Sequence, residues 1–303
     1  MPARRAPRSA LTAEVAFRRA ACSPLGAIVA RPWIDPVALG AMRRWFFPLS
    51  RLWAAANAAE GDIGRFLAQP GVPTGGTWGQ RMLGPILRRH ESARRRAAEA
   101  RVQWEAAAFG TAPIEAAALA ELDAARRRAA SLHLATRGLF YPLLLPRRPP
   151  LAAWSMPTPA KVEAAYGAGR ADPSAIYAVP AESPTIELSQ AACRPGVTER
   201  WLRFVTPHAP LRARAGCGQV YARVVEPDGL ADDAPTVIAG NGLCVESDIL
   251  VNTVDPGSVL SEVGLRVVDV VSPYHGLRAQ VGSYGGEPFF AAAPLGTLDL
   301  IVG

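Results

Sequence analysis

Two spacings of hydrophobic positions divide the chain. In residues 80–110, Leu83, Ile86, Leu87, His90, Ala97 and Val102 recur roughly along one stripe with arginines opposite, which predicts an amphipathic helix. Gly110 supplies its stop and Thr111 a cap for the next helix, over residues 113–138. Two long helices across so short a break should fold back as an antiparallel hairpin. Upstream, residues 35–69 also read as helix, with Asp35 as N-cap and Pro36 in the first position; Pro48 should kink or split it. After about residue 195 the period changes to two. Trp201, Arg203 and Val205 alternate with Leu202 and Phe204, and Val220, Ala222 and Val224 repeat the pattern. Such alternation predicts half-buried antiparallel strands. "TVIAGNG" (236–242) and "LRVVDVV" (265–271) are instead continuously apolar and are separated by a loop with a short helix, which favours parallel strands covered on both faces. Strands are therefore expected at 201–205, 220–225, 236–239 and 265–271, the last two parallel.

Between these regimes prolines crowd into "LLLPRRPPLAAWSMPTPA", and "YGAGRADPSA" continues in loop style. The expected organisation is a helical N-terminal region (1–145), a Pro/Gly-rich linker or arm (146–194) and a strand-bearing region (195–303).

Half of the residues are hydrophobic, enough for a sizeable core. No apolar run reaches the ~18 residues of a membrane span. The arginine-rich N-terminus, with Arg18 and Arg19 ahead of a short apolar piece, makes a poor secretion signal. A cytoplasmic location is expected. The net charge of +7 rests on arginine, since Lys161 is the only lysine. With alanine also abundant, this bias reads as the composition of a GC-rich genome, and no nucleic-acid partner is favoured. Cys22, Cys193, Cys217 and Cys244 are scattered, without a C-x-x-C or Cys/His cluster. Neither a metal site nor a disulfide framework is expected, and no cofactor.

Arg94-Arg95-Arg96 and Arg126-Arg127-Arg128 could meet on one face of the hairpin and attract phosphate. Alanines rather than aromatics interleave them, and Glu91, Glu99, Glu121 and Asp123 are near enough to pair. A solvated basic face is the expectation. A non-catalytic protein that binds an anionic partner through these helices is the alternative function. His90, on a helix face, and His208, at a strand end, read as structural.

Gly240-Asn241-Gly242, at a strand end, can adopt positive φ and bring backbone N–H groups close to a ligand; a tight strand-to-helix turn without a ligand is the other reading. Asn241 can donate from its side chain or close an Asx turn. Cys244 has no base or positive field nearby and reads as a buried structural thiol.

The order of these pieces is two alternating strands, a strand ending in "AGNGLCVESD" (239–248), a short helix, and a strand ending in "SPYHGLR" followed by "GGEPFF". Over roughly residues 195–303 this order resembles the opening of an α/β-hydrolase domain, in a branch with an AGNG-type loop. The resemblance implies a fold class of α/β, with an incomplete α/β-hydrolase-like sheet in the C-terminal third preceded by a mainly α-helical region. It implies an oxyanion loop at Gly240, Asn241, Gly242 and Leu243, with Asn241 where the family commonly has histidine. It implies a rim loop at Tyr274, His275 and Gly276, where the histidine holds the loop by hydrogen bonds. The implied substrate is a small acyl compound. The family's G-x-S-x-G is not found: "VGSYGGE" has Val281 in the first glycine position, and no buried strand leads into Ser283. Nucleophile, acid and catalytic histidine are expected beyond residue 303, and the chain alone is expected to be inactive. Oligomerisation or aggregation through the incomplete sheet would follow.

Overall fold

The computed structural model describes residues 34–72, 77–144, 157–175, 182–240, 260–261, 263–288 and 295. They form a mixed α/β structure, with helices first and a mixed sheet in the C-terminal part.

The first helix, α1 (Ile34–Ala41), runs through a wider π turn (Met42–Phe46) into α2 (Phe47–Ala59). Asp35 lies within the first turn of α1 instead of capping it, a placement that the helix dipole favours. Pro48 does not split the helix. A proline ring clashes with the carbonyl four residues back, and here the Phe47 N–H reaches Met42 O, five back, which makes room just upstream. Glu60 ends α2 in the left-handed region, with its N–H on Ala56 O. Asp62 then caps α3 (Ile63–Leu67), its carboxylate accepting from the Arg65 N–H at 2.7 Å.

The hairpin predicted from the stripe is α4 (Thr77–Phe109) and α5 (Ala116–Ala135). Its antiparallel sense shows in the rings of His90 and His133, 5.1 Å apart at one end, and in Trp104, Ala108 and Leu119, which share a cluster at the other. The inward seam of α4 follows a four-three spacing through Leu83, Leu87, His90, Arg94, Ala97, Arg101, Trp104 and Ala108. Val102 lies off that seam and is exposed. Thr111 is not a cap; Glu115 precedes α5, without a side-chain bond. The connection is held by Gln190, whose amide donates to the carbonyls of Ala107, Gly110 and Ala112 and accepts from the Ile114 N–H. A side chain 80 residues away thus satisfies the orphan carbonyls at the end of α4.

The stretch read as a linker carries structure. Thr158 caps α6 (Pro159–Ala171), with Pro159 at the first turn. Two short strands, β1 (Glu187–Leu188) and β2 (Ala192–Arg194), join the sheet within residues assigned to the arm. Both pair antiparallel with β3 (Val197–Val205). β3 pairs antiparallel with β4 (Gln219–Pro227) across nine registered positions. β5 (Thr236–Gly240) and β6 (Arg266–Val270) are parallel to one another, as expected. The order is β1-β3-β4-β6-β5, so β6 lies between the hairpin and β5. The one acid in β6, Asp269, is buried together with Val267.

Three apolar clusters fill the interior among the described residues, the smallest of Leu211, Cys217 and Tyr274. Leu52, Phe66, Leu87 and Phe140 pack beneath the N-terminal helices. Trp104, Leu119, Trp201, Tyr221 and Leu277 join the hairpin to the sheet.

Candidate functional site

Because β5 and β6 are parallel and Gly240 registers with Val270, the chain leaves both strands at the same, carboxyl edge. In sheets of parallel strands that edge is where ligands are usually taken. Gly240 is the last residue of β5. Asn241, Gly242, Leu243 and Cys244 lie outside the described residues.

The loop after β6 is pinned from several sides. Tyr274 is buried at a positive φ of 65°, strained for a residue with a Cβ. Its side chain bonds Arg214 and Cys217, and burial pushes its phenol up. His275 is buried; its backbone N–H donates to Ser272 O at 3.1 Å and its Nδ1–H to Pro273 O at 2.9 Å. Gly276 follows at φ 46°. Arg278, buried, donates to Val271 O at 2.9 Å and Cys217 O at 3.0 Å, tying the loop to both ends of the neighbouring structure. These bonds hold the His275 ring and backbone within its own loop.

Gly276 and Leu277 also form one wall of a cleft of about 260 Å³. Its floor is the middle of the helix pair: Arg94, Ala97, Ala98 and Arg101 from α4, and Arg126, Ala130, His133 and Leu134 from α5. Trp53 and Asn57 of α2 and Val281, Ser283 and Tyr284 complete the lining. The cleft exists because alanines occupy facing seam positions while the flanking seam positions carry long cations. Ser283 is held within its own turn, its hydroxyl donating to Gln280 O at 2.9 Å. Arg51 of α2 donates to Gly282 O at 3.2 Å and meets Glu287 at 3.3 Å, fastening this wall to the helices. Burial raises the Glu287 carboxyl to about 6, against the pull of Arg51.

In the cleft lining, Asn57 is shared by two histidines. Its side-chain Oδ1 lies 3.0 Å from His90 Nε2 and 2.8 Å from His133 Nε2. Thr136 Oγ1 is 2.9 Å from His90 Nδ1 and 2.6 Å from the carbonyl of His133. Burial lowers His90 to about 3 and His133 to about 4, so both rings are neutral at pH 7. Proton counting then fixes the tautomers. The one Thr136 proton goes to the His133 carbonyl, so His90 Nδ1–H must donate to Thr136. His90 Nε2 is then an acceptor, and the amide must present its NH₂, an orientation reached by a 180° turn of Asn57. The two amide hydrogens serve both Nε2 atoms. His133 is left carrying its proton on Nδ1. The Trp53 indole donates to the His133 carbonyl at 3.0 Å and fixes the residue further.

The arginine triplets do not form a common solvated face. Arg94 and Arg95 both bind Glu91, whose carboxyl the Arg94 hydrogen bond, helped by Arg95, holds at about 2 against burial. Arg126 and Arg127 point inward and are buried. Arg126 stacks on Trp104 and Trp201, at 4.4 and 5.3 Å from the ring centroids, and bonds Asp123 at 2.8 Å. Arg127 meets Asp123 at 2.5 Å and Glu199 of β3 at 3.3 Å. Glu199 also pairs with Arg194 and Arg223, and Arg223 with Asp269. Burial pushes the Asp123 carboxyl up, but Arg127 and Arg126 more than offset it and hold it below its ordinary value. His90 and His208 were both expected to be structural, and the bonds of His90 bear that out for it.

Among the described residues, no group of three or more His, Cys, Asp or Glu could hold a metal ion, and no helix is long and apolar enough to cross a membrane. No protein-family profile, no curated protein and no solved structure matches the chain.

Proposed function

We propose that residues 195–303 carry the oxyanion side of an α/β-hydrolase-type serine hydrolase acting on an ester or other acyl substrate. The observation that carries this reading is the direction of the strands. An antiparallel β3–β4 hairpin is followed by parallel β5 and β6, and both of these strands end at one edge. In this reading, backbone N–H groups of Gly240, Asn241, Gly242 and Leu243 receive the oxyanion, each such donor lowering the barrier by about 3 kcal/mol. Tyr274, His275 and Gly276 form the rim, held by the bonds of His275 to its own loop. The adjoining cleft, apolar over most of its surface, takes the acyl part. The sequence given contains no G-x-S-x-G, so the reading assigns the oxyanion side of the site and no nucleophile.

A fluorophosphonate probe tests this on two proteins, the present chain and the chain extended through the codons that follow residue 303. The expected result is no label on the first and a labelled G-x-S-x-G serine on the second. Labelling of Ser283 in the present chain, an extended chain without label, or a stop codon directly after residue 303 would each overturn the reading.

A further inference from the structure

The cleft is apolar in its body, and the polar groups at its helical floor are hydrogen-bond donors. Arg94 spends Nε and Nη2 on Glu91, which leaves Nη1 among the bonds made by described residues. Arg101 meets Glu105 through Nε at 3.1 Å and also bonds the Tyr221 hydroxyl, and its side chain is over a third exposed. His133, by the proton count above, carries its N–H on the ring nitrogen that Asn57 does not use. Each cleft arginine has a carboxylate behind it: Glu91 for Arg94, Glu105 for Arg101 and Asp123 for Arg126. The field in the cleft is therefore that of partly neutralised cations, suited to one negative charge and not to two. A donor-only floor under an apolar body calls for a ligand with acceptor oxygens at one end and hydrocarbon at the other.

We propose that the cleft binds a small organic carboxylate, its oxygens held by Arg94, Arg101 and His133 and its hydrocarbon lying over Ala97, Ala130 and Leu134. A planar guanidinium matches a carboxylate in geometry as well as charge. The alanines matter because a longer side chain at either position fills the floor. This site is built from the helical half and stands whether or not the sheet belongs to a hydrolase.

Isothermal titration at neutral pH with three probes tests it: hexanoate, hexanol (the tail without the charge) and inorganic phosphate (charge without tail). Hexanoate should bind saturably and more tightly than either control. Arg101→Gln, at a half-exposed position that leaves the fold intact by circular dichroism, should weaken hexanoate by about tenfold or more, the worth of a charge-assisted bond. Ala130→Leu should abolish binding by filling the floor while leaving every cation in place. Absence of saturable binding into the millimolar range, equal affinity for either control, or wild-type affinity in both variants would overturn the proposal. Serine labelling in the extended chain is a separate measurement, so the two proposals fail independently.

Discussion

The cluster beneath α2, α3 and α4 and the layer between α5 and the sheet are both buried, by opposite means. The first is hydrocarbon: Leu52, Phe66, Leu87 and Phe140 are each at most 1% exposed and touch one another. The second is a chain of charges, Asp123, Arg126, Arg127, Glu199, Arg223 and Asp269, capped by Trp104 and Trp201. Truncating one hydrocarbon member costs its transfer energy plus a cavity that neighbours close only in part, about 2–5 kcal/mol for Leu→Ala. A charge chain loses its compensation at once, because each ion is desolvated on the assumption that its partner is present. A single removal should therefore cost more at the junction with the sheet than in the hydrocarbon of the helical half.

The largest expected effect follows from that contrast. Asp123→Ala leaves Arg126 buried and takes from Arg127 its 2.5 Å partner. It should cost about 3–5 kcal/mol in urea unfolding, a large part of a typical domain's total. A loss below 1 kcal/mol, on the order of a surface pair, would show that water reaches this layer. Leu87→Ala, in the hydrocarbon cluster, should cost about 3 kcal/mol by the same measurement. If Leu87→Ala proved the worse of the two, the contrast drawn above would be wrong.

Acid sharpens the comparison, because the helical half also holds its neutral histidines. His90 and His133 sit at about 3 and 4, against an ordinary 6.5. Unfolded, they take up two protons as pH falls below 6.5; folded, they refuse them, so stability is lost in that window. Glu287 acts in the opposite sense, since its folded carboxyl protonates near 6 and its unfolded one near 4.5. Between about pH 6 and 4.5 the net difference is roughly one proton, or about 1.4 kcal/mol lost per pH unit. Glu287→Gln removes the opposing proton and should steepen the loss to about 2.7 kcal/mol per unit. A flat profile over this range, followed by urea unfolding at stepped pH, would show that the histidines charge freely in the folded state.

The four main strands, with the parallel sense of β5 and β6, were legible because alternation and continuous apolar runs are local signals. The hairpin was legible for the same reason. α6 was missed although Thr158-Pro159 is a good start signal, because the surrounding prolines outweighed it. β1 and β2 were missed because strands of two or three residues carry no period, and they exist through pairing with β3. Gln190 gave no sign that it closes the end of α4. The cleft left a trace that was misread. On α4 the four-three seam runs apolar, then Arg94, Ala97, Arg101, then apolar again; on α5 it runs Leu119, Asp123, Arg126, Ala130, His133. Cations on an inward seam announce either buried ion pairs or a site, and here they serve both. Taking the arginines as lying opposite the apolar stripe hid this. The rim loop was seen as a loop, but its contact with the helical half depends on packing across more than a hundred residues.

The smallest expected effect is the most instructive, because it concerns the same three-residue motif that supplies the partners of Asp123. Arg94-Arg95-Arg96 and Arg126-Arg127-Arg128 are identical as sequence. Arg95 bonds Glu91 at 2.7 Å, as good a contact as any in the buried network, yet its side chain is 68% exposed. Water screens that charge in the pair and solvates it when the pair is broken. Glu91 would not be stranded either, since Arg94 grips both of its oxygens, at 2.7 and 2.9 Å. Arg95→Ala should therefore change stability by less than about 0.5 kcal/mol. Arg127→Ala, which strips a partner from both Asp123 and Glu199, should approach the cost of Asp123→Ala. Similar values for the two arginines would mean that both triplets face water, and the buried charge layer joining α5 to the sheet would have to be abandoned.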